Sequence, residues 1–128
     1  MENKELNKAL RERARELGLC DQWYKEWDKN SSKQELIKKY LDGIDFCIKH
    51  NYPNIEFAKA YFPKNLLRLN CIFIDDRFDI QNANKVVTLG KSSGRIQYEG
   101  LMTGDVYVRH QSLVEINAKD GARVFVEV

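Results

Sequence analysis

The second half of this chain repeats itself every ten residues. Ile96, Val106, Ile116 and Val126 hold the same place in successive blocks that run from Val87. Two residues earlier come Gly94, Gly104, Val114 and Val124, and two residues later Tyr98, Val108, Ala118 and Val128. Positions two apart project from one face of an extended chain, so each block reads as a strand of about five residues with one apolar face, followed by a tight turn. Such a strand cannot bury its face alone. The blocks must layer on one another, either as coils of a β-solenoid or as an antiparallel up-and-down meander. Equal spacing slightly favours the solenoid, whereas a short connection such as Ala118-Lys119-Asp120-Gly121 suits the hairpins of a meander. The first two blocks also share Gly-x3-Gly, as Gly90 to Gly94 and Gly100 to Gly104. Just ahead of the repeat, Cys71-Ile72-Phe73-Ile74 is β-rich and leads into turn residues Asp75, Asp76 and Arg77.

Before Pro63 the pattern is helical. Leu6, Leu10, Ala14 and Leu17 fall on one stripe, and Gly18 supplies a stop. Asp21 can cap a short helix that places Trp23 and Trp27 one turn apart. Aromatics so spaced are core residues in the usual case, and an exposed pair is instead an anchor for a protein partner. Ser32-x-x-Glu35 has the form of a capping box, after which Leu36, Ile37, Tyr40, Leu41, Ile44, Cys47 and Ile48 keep a helical period. Gly43 is a weak point within that run, where something can pack closely. Asn54 caps a further short helix that ends at Pro63. The expected fold class is therefore α+β, with a helical lobe of three to four helices over 1–63 and a β-repeat lobe over 64–128, behaving as one cooperative unit.

Charge excludes more than it suggests. The net charge of +2 divides into 12 Lys/Arg against 11 Asp/Glu before Pro63 and 9 against 8 after it. No basic face is concentrated enough to neutralise phosphates, which argues against nucleic acid as a partner. No apolar run approaches the roughly 20 residues that a membrane span requires, so no membrane role is expected. Three widely spaced cysteines, Cys20, Cys47 and Cys71, behind a charged N-terminal segment fit free thiols in the cytoplasm.

Candidate chemistry is sparse. Cys47-x-x-His50 with Cys20 and Cys71 would make a Cys3His set, but the spacing matches no zinc motif, and no metal is expected. Asp75, Asp76 and Asp79 cluster after a strand without the partner that a cation or acid–base site needs, so turn duty is the simpler reading. Arg109 and His110 close the third block, with no Ser, Cys or Thr in an elbow-like motif to serve as nucleophile. Gly90-Lys91-Ser92-Ser93 lacks the upstream glycine of a phosphate loop and precedes a strand. No motif calls for a cofactor.

The stretches Leu17-Gly18-Leu19-Cys20, Gly43 to Pro53 and Gly104 to His110 carry a resemblance to small uncharacterised proteins encoded in phages and prophages of gut anaerobes, with a helical headpiece and a repetitive β tail. The resemblance attaches no activity. It implies relatives with further β-blocks, and so a tail that is either complete at Val128 or continued by a neighbouring subunit. The last strand, Ala122 to Val128, has no proline and carries charge at Arg123 and Glu127 alone, which leaves an edge open to pairing. The expectation is a non-enzymatic interaction or assembly module, homo-oligomeric or bound to another protein, with Trp23, Trp27, Ala122, Val124, Val126 and Val128 as interaction residues. The alternative is a small enzyme or ligand-binding protein with a polar site at the lobe junction, near Asp75, Asp76, Arg109 and His110.

Overall fold

A computed structural model describes residues 1–128: six helices followed by seven short strands, with every strand pairing parallel. The chain divides into two units, Met1–Phe62 and Pro63–Val128.

In the first unit, helix α1 (Asn3–Glu16) buries the stripe Leu6, Leu10 and Ala14, and the chain leaves it through Gly18 at φ +98°. Asn7 is buried on the same face, although it is polar. Its Nδ2 donates to the carbonyls of Asn3 and Ser31 at 2.8 Å, and its Oδ1 accepts the Trp27 indole N–H at 2.9 Å. Helix α2 (Asp21–Glu26) starts from Cys20, with no side-chain cap from Asp21. Helix α3 (Lys33–Asp42) opens on the complete Ser32/Glu35 capping box. The continuous helix expected beyond it is broken at Gly43, and α4 (Ile44–His50) restarts there. A Cβ at Gly43 would meet the Trp23 ring at 3.3 Å, so the break seats an indole. Helix α5 (Ile55–Tyr61) is capped by Asn54, whose Oδ1 accepts the Phe57 N–H at 2.8 Å. The break makes five helices in this unit where three to four were expected.

The second unit begins with a helix that the sequence did not suggest, α6 (Lys64–Leu69), entered from Pro63 and packed against the first strand. The strands then alternate between two sheets. β1 (Ile72–Ile74), β3 (Lys85–Leu89), β5 (Thr103–Val108) and β7 (Arg123–Glu127) form one, in that order. β2 (Arg77–Gln81), β4 (Ser93–Tyr98) and β6 (Leu113–Ala118) form the other. The antiparallel meander is thereby overturned: neighbouring blocks do not pair, and each strand lies beside the one two blocks away. Val86 is level with Val106 and Val106 with Val126, while Ile80, Ile96 and Ile116 make the matching column opposite.

The connections share one backbone feature. Each contains a residue in the left-handed region: Asp75, Asn82, Gly90, Gly100, His110 and then Asp120 with Gly121, at φ between +50° and +88°. Such a residue turns the chain sharply at each corner, where it crosses to the other sheet. Gly, Asn and Asp tolerate this conformation best, with His also enriched there.

The interior of this unit is built from both sheets, with Phe73, Phe78, Val86, Ile96, Tyr98 and Val106 buried together. Phe73 and Phe78 stack with centroids 4.2 Å apart. Burial is uneven along the stack. Ile72, Phe73 and Ile74 of β1 are all buried, whereas the aligned valines go from 0% exposed at Val86 and 1% at Val106 to 50% at Val126. Val126 is therefore not sealed in the shared interior expected for its column, because β7 has a neighbour on one side alone.

Candidate interaction edge

β7 pairs with β5 from Arg123 opposite Thr103 to Glu127 opposite Tyr107. The Arg123 N–H donates to the Met102 carbonyl at 2.9 Å, which fixes the direction of every other peptide group in the strand. Successive residues of a strand direct their N–H and C=O groups to opposite sides. Phe125 and Glu127 therefore face β5 like Arg123, and the backbone groups of Val124 and Val126 face away from the sheet. The side chains alternate in the other sense. Val124 and Val126 continue the interior columns from Gly104 and Val106, while Arg123, Phe125 and Glu127 lie on the outer face. Phe125 is 60% exposed and Val128 84%. Ala122 is half-buried before the strand, its N–H donating to the Lys119 carbonyl at 3.2 Å. β6 is the last strand of its own sheet, with Leu113 exposed, and its Glu115 is tied to Arg95 at 2.8 Å.

The two tryptophans are not an exposed pair. Trp27 lies past the end of α2 and is buried, with its indole N–H held by Asn7, so it is a core residue and not a partner anchor. Trp23 is partly exposed over Gly43. A cleft of about 340 Å³ beside it is lined by Trp23, Glu26, Asp28, Glu35, Lys39 and Asp42, among others. Its charges are engaged within the chain. Lys39 Nζ lies 5.0 Å from the Trp27 ring and 5.7 Å from that of Trp23. Glu35 closes the capping box, Asp28 accepts the Asn30 N–H, Glu26 accepts from Gln22, and Asp42 pairs with Lys38 at 3.5 Å.

The polar candidates of the second unit hold its turns together. Asp75 Oδ1 accepts the Lys91 N–H at 2.8 Å, and His110 Nδ1 accepts the Gly90 N–H at 3.0 Å, so the two residues flank one connection. Asp76 faces α6, with Oδ2 3.3 Å from Arg68 Nε and Oδ1 3.9 Å from Lys64 Nζ, and its Oδ1 also accepts the Arg77 N–H. The Arg109 N–H donates to the Thr88 carbonyl at 3.0 Å. Asp79 is exposed on β2. Buried Ser92 shares its hydroxyl proton between the carbonyls of Phe73 and Leu89 and accepts the Asp76 N–H. Asn82 does for the opposite set of turns what Asp75 does here, its Oδ1 accepting the Glu99 N–H at 3.0 Å. A shared position at the start of a turn was the available signal for both Asp75 and Asn82. These groups satisfy backbone amides and carbonyls, which in a layered structure would otherwise be left bare at each corner.

The cysteines are free, with Cys20 exposed and Cys47 buried, and burial pushes the Cys47 thiol up to about 12. The His50 ring lies tilted against Phe46, with centroids 4.6 Å apart. Nowhere do three or more His, Cys, Asp or Glu side chains gather as a metal would require, and no helix is long and apolar enough to cross a membrane. No protein-family model matches this chain, and comparison with curated proteins and with solved structures found no match.

Proposed function

We infer that this chain is a non-enzymatic assembly module that takes up a β-strand from a second protein chain along β7. The supporting observation is the contrast within one column, where valines buried at Val86 and Val106 are followed by a half-exposed Val126 whose backbone groups face outward. Adding a strand there satisfies those groups and covers Val124 and Val126 in one step. The reading treats the two parallel sheets as flattened coils of a β-solenoid, a form that grows by layering. The resemblance to phage-type proteins with repetitive β tails, and a cytoplasmic setting for the free thiols, belong to the same proposal. The alternative of a polar catalytic or ligand site gains no support from Asp75, Asp76 and His110, since their carboxylate and imidazole atoms bind neighbouring backbone or the basic side chains of α6.

The test is sedimentation velocity on the whole protein and on Val126→Pro. Proline removes an N–H that makes no bond to β5, and edge strands tolerate it. Concentration-dependent assembly that is lost in Val126→Pro, with circular dichroism unchanged, supports the reading. A wild-type chain that stays monomeric, or a variant that assembles equally well, overturns it.

A further inference from the structure

We propose that the strand received by β7 is β7 of a second copy of this chain, paired antiparallel about Phe125 in a closed two-fold dimer. This rests on the edge-assembly reading above and names its partner. The sequence Arg123-Val124-Phe125-Val126-Glu127 is complementary to its own reverse. In antiparallel register centred on Phe125, Arg123 faces Glu127 of the second copy, Glu127 faces its Arg123, and each of Val124 and Val126 faces the other's counterpart.

The backbone agrees with that register independently. An antiparallel ladder alternates pairs that exchange both N–H···O bonds with pairs that exchange none. Val124 and Val126 have the outward peptide groups and are the residues that this register places in bonding pairs. Phe125 meets Phe125 in a non-bonding pair, where side chains approach most closely, so two exposed rings come together on the outer face. On the inner face the valines of both copies extend the apolar columns. Pairing β7 in parallel would instead set Arg123 against Arg123 and Glu127 against Glu127, and like charges directly opposite are unfavourable.

Closure follows from the other end of the stack. A head-to-tail array would need β1 to accept the β7 edge of the next copy, and Ile72, Phe73 and Ile74 are already buried, with α6 packed on β1. Association through β7 is thus isologous and closes at two. A ladder this short covers less surface than a standard interface, so the dimer is expected to be weak and concentration-dependent.

Charge reversal tests the register without disturbing the fold, because Arg123 and Glu127 are both exposed. Arg123→Glu sets acid against acid at both ends of the ladder, and Glu127→Arg sets base against base. Each variant alone is expected to dimerise roughly tenfold more weakly than wild type. An equimolar mixture of the two regains the affinity as a heterodimer, and the double reversal Arg123→Glu/Glu127→Arg regains it as a homodimer. Amide exchange followed by NMR adds a second reading, with the Val124 and Val126 amides gaining protection on dimerisation. If wild type assembles in a way that Val126→Pro abolishes while both single reversals assemble like wild type, or their mixture fails to recover, the register is wrong and edge assembly stands. A monomeric wild type overturns both.

Discussion

Glycine has two different uses in the strand region, and its spacing alone does not separate them. Gly100 turns a corner at φ +75° with open space around its Cα, whereas Gly94 lies against the carbonyl and ring of Phe78, where a Cβ would overlap both. Gly104 is similar, since a Cβ there would stand 2.5 Å from Cζ of Tyr98, a buried ring whose hydroxyl donates to the Ala83 carbonyl at 2.8 Å. Gly100→Ala is expected to destabilise by about 1 kcal/mol through left-handed strain, and Gly94→Ala by about 3 kcal/mol through overpacking against backbone that cannot yield. Urea unfolding of the pair, with unchanged slopes, would show that order. The thiols make a second prediction. At pH 8 an aromatic disulfide reagent should label exposed Cys20 quickly and Cys47 only on unfolding, because burial holds the Cys47 proton. Above the ordinary value of 9.0 the unfolded chain releases that proton while the folded chain keeps it to about 12. The folded state then binds more protons, so this group makes stability fall as pH rises through that window, by up to ~1.4 kcal/mol per pH unit.

Among the helices and strands, those governed by neighbours in sequence were legible beforehand. The Ser32/Glu35 box and the Asn54 cap require only residues three apart, and the structure contains both. Ser32→Ala should accordingly destabilise by about 1 kcal/mol, measurable as a lower thermal midpoint, while Ser93→Ala at an exposed strand start should have little effect. Features set by distant contacts were hidden. Nothing near Gly43 announces that the Trp23 ring will occupy the space above it, and α6 is too short to display a period. The strand pattern was visible, but its partners were not. Alternation along a strand tells which side chains point inward and says nothing about which strand lies alongside, so a ten-residue period leans only slightly towards layered coils and also fits folding back. A left-handed residue stands in every connection, carried by Asp75, Asn82 and His110 where glycine does not, but hairpin turns use such residues as well, so it marks the corners without choosing the partner strand. The outermost place of β7 matches a stretch, Ala122 to Val128, without proline, whereas the tryptophan pair misled because α2 ends at Glu26, one residue short of Trp27.

Across the strand unit as a whole, one residue type in one column is fully covered twice and half covered once. Val86→Ala and Val106→Ala should each lose roughly 2 kcal/mol, because each leaves a cavity in a filled interior. Val126→Ala should lose less than about 1 kcal/mol in the monomer, since half of that side chain is already in water. Equilibrium unfolding of the three variants at low protein concentration checks the gradient, and β6 with β7 should be the first amides to exchange. The alternation of strands between sheets also has a consequence for how such a chain could lengthen. Inserting a single ten-residue block would change the parity of every strand after it, sending Arg123 to Glu127 into the opposite sheet and away from β5. Inserting two blocks would restore parity and add one rung to each sheet. Viable length variants of this architecture should therefore differ by about twenty residues, and a survivor that differs by ten would have to present another strand as its terminus.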